Sequence, residues 1–167
     1  MAELLLRERL QPSLLDRLTD EDPTVTQEAR QKRVMSVSNL REVMLRDLGW
    51  LLNATSLRNL QDSKEYPLVS HSVINFGKPD LTGKHIRDED LDQIESEVRQ
   101  AILDYEPRIL ANTVKVRVVM AGASEGNRAL KFEIEGSLWC QPVPLRLYLK
   151  TSVDLETGDV QIANLAF

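Results

Sequence analysis

From Asn112 onward the apolar side chains recur at every second position, and this period restricts the fold more than any other feature of the chain. Val114, Val116, Val118 and Met120 alternate with Lys115, Arg117 and Val119. Leu130, Phe132, Ile134 and Leu138 alternate with Lys131, Glu133, Glu135 and Ser137. Leu145, Leu147, Leu149 and Val153 alternate with Arg146, Tyr148, Lys150 and Asp154, and a shorter run holds Val160 and Ile162. Successive side chains of a strand point to opposite faces, so each run has one apolar and one polar side. Turn-forming residues at 122–127 and 156–159 separate the runs. Four sequential strands with brief connections predict an antiparallel sheet whose apolar face must be covered and whose other face is polar.

Helical periods upstream supply the cover. The domain begins near Ser36, and Leu40, Val43, Met44, Leu48, Leu51 and Leu52 share one face of its first helix. Asn39 and Glu42 have capping-box spacing, and Asn53 suits a left-handed residue at the helix end. A second helix opens on Asp88, Glu89 and Asp90, favourable to the macrodipole, and carries Leu91, Ile94, Val98, Ala101, Ile102 and Tyr105 on one face. Pro107 disfavours helical geometry at Glu106, so the helix should stop there. Between the two helices, Tyr66 to Phe76 reads as an extended connector with tight turns. The predicted class is α+β: a small antiparallel sheet of about four strands against two main helices.

The predicted domain spans 36–167, preceded by an arm over 1–35. In the arm, Leu10, Leu14, Leu15 and Leu18 recur at helical spacing, followed by a polar stretch from Thr19 to Gln27. The stripe fits a helix folded back on the domain or a short anchor helix docked on a partner, and the expectation is that residues 10–18 bind a partner. Leu4-Leu5-Leu6, between Glu3 and Arg7, is too short and too charged for a signal peptide or membrane span. The single cysteine, Cys140, excludes an internal disulfide and points to a reducing, cytoplasmic setting.

Composition narrows the function. A formal net charge of -5 provides no basic field for phosphate, and 5% aromatic residues provide little stacking surface for sugars or single-stranded nucleic acid. No serine sits in a nucleophile-elbow pattern, Cys140 has no histidine nearby in sequence, and His71 and His85 lack further ligands for a metal. The sequence predicts no cofactor. A glycoside hydrolase needs two opposed carboxyl groups, one of them holding its proton. The least ordinary acid, Glu106, has Arg108 two residues on, and a guanidinium stabilises the ionised carboxylate instead.

Glu106-Pro107-Arg108 remains. In local terms Glu106 closes a helix, Arg108 complements its C-terminal dipole, or the two pair on the surface. In functional terms proline is a stiff spacer that fixes two opposite charges for a partner to read.

Tyr105-Glu106-Pro107-Arg108-Ile109, after the helix from Leu91, resembles the Glu-Pro-Arg signature of the small wedge protein of contractile phage baseplates, a family labelled lysozyme-like. Pro12 to Leu18, Leu48 to Asn53 and Ser72 to Gly77 are similar to its type VI secretion branch, TssE; Phe76 keeps the ring of the tyrosine expected there without its hydroxyl. The resemblance implies a non-enzymatic baseplate component, cytoplasmic and docked beneath the inner membrane. Its partners would be the TssF, TssG and TssK wedge subunits, the spike hub and the TssB-TssC sheath. Glu106, Pro107 and Arg108 would grip the TssF-TssG core, with Leu14, Leu15 and Leu18 as further partner contacts. The sheet over 112–167 would template sheath strands. The competing readings are a peptidoglycan-cleaving muramidase and a free-standing interaction module.

Overall fold

The computed structural model describes residues 13–19, 24, 36–57, 66–83, 88–120, 129–139 and 144–164. Three helices, α1 (Leu14–Leu18), α2 (Val37–Asn53) and α3 (Asp88–Tyr105), precede strands β1 (Lys115–Met120), β2 (Ala129–Leu138), β3 (Leu145–Asp154) and β4 (Val160–Asn164). The strands form one antiparallel meander in the order β1-β2-β3-β4. The expected α+β architecture and its sheet are therefore present.

The alternation works as its period requires. Leu130, Phe132 and Ile134 of β2 and Leu147, Leu149 and Val153 of β3 are buried, facing Leu40, Met44, Leu48, Leu51 and Leu52 of α2 and Ile94, Val98 and Ile102 of α3. On the opposite face, register places Arg117 beside Glu133 and Glu133 beside Lys150, whose Nζ lies 3.2 Å from the Glu133 carboxylate. Gly136 is needed where Ile109 crosses β2, because a Cβ there would lie 2.9 Å from the Ile109 side chain.

Three local expectations are corrected. The α2 cap is Ser36, not Asn39: the Ser36 hydroxyl accepts the Asn39 N–H at 3.1 Å and donates to the Asn39 side chain at 2.8 Å, so helix begins three residues earlier. Asn53 is not left-handed; α2 runs through it into extended backbone at Ala54, and its amide donates back to Gly49 O at 2.9 Å and also serves the sheet. The stretch from Tyr66 to Phe76 is not simply extended but coils into two 3-10 turns, Val69–His71 and Val73–Asn75, fixed by the buried Asn75 amide donating to the Val69 carbonyl at 2.7 Å.

Of the arm, only 13–19 and Thr24 fall within the described residues; Leu10, Pro12, His85 and Cys140 lie outside them. No helix of the described residues is long and apolar enough to cross a membrane.

Candidate functional site

The site grows from the way α3 ends. Glu106 N–H donates to the Ile102 carbonyl at 2.9 Å, and Pro107 then turns the chain. The new direction is held by β2: Leu110 N–H donates to Ser137 O and Trp139 N–H to Arg108 O, each at 2.8 Å. Arg108 folds back over the turn. Its Nε donates to Glu106 Oε1 and its Nη2 to Glu106 Oε2, both at 2.6 Å, a two-point pairing of fork and carboxylate.

Glu106 is only 5% exposed and the Arg108 side chain 29%. The two charges are turned on each other, the local alternative noted above, but as a largely buried pair rather than a surface one. Pro107 is exposed. Hydrogen bonds donated to Glu106 hold the guanidinium in its charged form against burial, with further support from Asp47.

Asp47, on the flank of α2, extends the pair. Its Oδ2 accepts Arg108 Nη2 at 2.6 Å, and its Oδ1 accepts Arg46 Nε at 2.9 Å and Nη2 at 2.8 Å. Arg46 Nη1 donates to Asp16 of α1 at 2.6 Å, and its guanidinium lies 4.9 Å over the Trp50 ring. Burial would raise the Asp16 carboxyl, but hydrogen bonds from Arg46 and Ser13 offset that and hold it below its ordinary value. Five charges of alternating sign thus run from the helix corner through α2 to the arm.

Around this chain lies an open groove of about 310 Å³. Its apolar lining comes from Leu14 and Leu15 of α1 and from Trp50, Leu51, Phe76 and Tyr105 of the body. Phe76 and Tyr105 meet edge to face at 5.3 Å, and the Tyr105 hydroxyl donates to Ser72 O at 2.7 Å, so this wall is rigid. Leu14 is 71% exposed, Trp50 52% and Leu18 75%, and α1 buries none of its residues. Leu14, Leu15 and Leu18 are therefore not part of the core. Leu14 and Leu15 join Glu106 and Arg108 at the groove, whereas Leu18 does not line it.

Arg46, Asp47 and Trp50 were not singled out from sequence. The available signal was a tryptophan at the margin of an apolar helical stripe with an arginine four residues before it, the spacing at which two side chains meet. Chemically the groove is suited to binding: Asp16, Asp47 and Glu106 each accept from an arginine. Among the described residues no cluster of His, Cys, Asp and Glu could hold a metal ion.

The sheet edges are the second candidate. The outer edge of β1 is capped by α3, since Val118 N–H donates to Glu95 Oε1 at 2.7 Å and Arg99 Nε donates to Val114 O at 3.1 Å. At the other edge the Asn53 amide imitates a neighbouring strand: it accepts Val160 N–H at 2.8 Å and donates to Val160 O at 3.1 Å. Alternation along β4 then directs the backbone groups of Ile162 and Asn164 to the same outer side.

Residues 38–143 match the family described as baseplate wedge protein gp25. Among solved structures, a chain from Geobacter sulfurreducens described as a tail lysozyme is 23% identical, with a TM-score of 0.49 over 73% of this chain and 96% of its own. No curated protein matches.

Proposed function

Because this chain belongs to the baseplate wedge protein gp25 family, a structural part of the tail baseplate, we propose that its groove seats the wedge core and its β4 edge receives sheath strands. In the type VI secretion reading the wedge core is TssF-TssG, with TssK and the spike hub in the same assembly beneath the inner membrane. The sheath is then TssB-TssC. The role is to bind, not to cleave.

One observation carries the reading. The groove walls expose apolar side chains, Leu14 and Trp50 above all, while the charges beneath them are paired within the chain. A partner then gains apolar burial without stripping water from unpaired charges, the arrangement of an interaction hot spot. Glu106, Pro107 and Arg108 act by shaping the groove floor, with Leu14, Leu15 and Leu18 as contacts from the arm. For strand addition β4 is favoured over β1, whose outward groups at Val114 and Val118 are engaged by α3.

Co-purification with TssF-TssG tests the assignment. Trp50→Ala combined with Leu14→Ser should weaken capture at least about tenfold, the loss of one good hot spot, with an unchanged melting temperature. Undiminished capture would overturn it. Purified peptidoglycan should release no fragments; release abolished by replacing one carboxylate would establish a muramidase instead.

A further inference from the structure

The ordered chain of charges has a consequence for the arm. Helix α1 has five residues and no buried side chain, too little to hold its place by propensity or apolar contact. Among the described residues its hydrogen bond to the body is charged: Asp16 accepts from Arg46, and Arg46 reaches Asp16 with the one nitrogen, Nη1, that Asp47 leaves to it. Asp47 fixes the plane of that guanidinium by taking both Nε and Nη2, while its second oxygen is held by Arg108. Neither Asp47 nor Arg108 has a hydrogen bond to α1 in this arrangement, yet both determine where Nη1 points.

We propose that Asp47 is the positioning residue of the groove: it couples the docking of α1 to the state of the Glu106–Arg108 corner, so that α1 is a movable wall set by that corner. A guanidinium gripped at two nitrogens presents its third in one direction, whereas a free one samples many rotamers and a lone exposed ion pair contributes little. Disturbing the corner therefore frees the wall. This coupling belongs to the isolated chain, whatever partner fills the groove.

The test is nitrogen-15 relaxation of the α1 backbone amides in the intact protein, with the amides of α3 as the internal reference. In the unaltered chain the order parameters of residues 14–18 should approach the rigid value of about 0.85. Asp16→Asn and Asp47→Asn should each lower them to below about 0.6, with α3 unchanged, and Asp47→Glu should restore part of the loss. Arg108→Gln should also lower them, though less, and adding it to Asp16→Asn should produce no further loss, the non-additivity of groups acting through one chain. The proposal is overturned if Asp16→Asn loosens α1 while Asp47→Asn and Arg108→Gln do not. It is equally overturned if Asp16→Asn leaves α1 rigid, or if the effects of Arg108→Gln and Asp16→Asn simply add.

Discussion

Helix α2 faces two regions held by different forces. On one side Leu40, Met44, Leu48, Leu51 and Leu52 enter the core against the sheet and α3, where apolar burial is non-directional and little affected by salt. On the other side Arg46 and Asp47 meet the arm and the corner through directed hydrogen bonds between charges, with Trp50 stacked under the Arg46 guanidinium. The first region tolerates only residues of similar volume. The second is open on one side, as would suit the docking surface proposed for it. One helix thus anchors the rigid body and organises the candidate site.

Truncation should expose the contrast most strongly. Leu48 is fully buried, so Leu48→Ala should cost about 3–5 kcal/mol in denaturant unfolding, with little dependence on salt. Arg108→Ala should come next, at about 3 kcal/mol, because it leaves the Glu106 carboxylate buried without the guanidinium. Replacing Glu106 and Arg108 together by apolar residues should then cost less than Arg108→Ala alone. A double variant no milder than the single one would mean that the corner is held by packing, as the core is.

The next largest effect belongs to Asn53, the point where α2 touches the β4 edge. Asn53→Ala should cost about 1–2 kcal/mol, since it strips partners from both backbone groups of Val160. It should also speed self-association by lengthening the open edge. An unchanged association rate would remove β4 as the receptive edge.

The strands and helices are legible because burial follows their periods: of the positions named from the alternation between Val114 and Val153 whose side chains are described, all are buried except the partly buried Val118 and Leu145. The tripeptide at Glu106 was legible as a motif, and the mutual pairing of its charges was among the readings open. Its burial was not, because that depends on the end of β2 crossing beside residue 109. Asp47 reads from sequence as an ordinary acid on the polar side of a helix, and its role exists only once Arg108 arrives 61 positions later in the chain. Asn53 was assigned to its own helix end for the same reason, since its partner is 107 positions away. Ser36 and Asn39 are both good caps in sequence, and only geometry shows which side-chain oxygen turns toward the helix.

Smaller effects concern the arm. The Asp16 carboxyl lies below its ordinary value of 3.8, so its contribution to α1 docking is fully present above that value and is lost as pH falls through the lowered one. Trp50 emission, sensitive to the Arg46 guanidinium stacked over it, should therefore stay constant down to about pH 4 and change below it, and a change centred well above that would rule out Asp16 as the cause. Least of all, Leu18→Ser should alter stability by no more than about 0.5 kcal/mol, as expected of an exposed side chain outside the core. A larger loss would return the stripe to the core.

On the proposed function, the groove lined by Leu14, Trp50 and Phe76 beside the Glu106–Arg108 corner would seat another chain of the baseplate. Electron cryo-microscopy of the assembled wedge tests it most directly. The account predicts a partner segment packed on Trp50 and Phe76, with the Glu106–Arg108 pair intact beneath it. A wedge in which those rings face open solvent, with every neighbouring chain seated elsewhere, would contradict it.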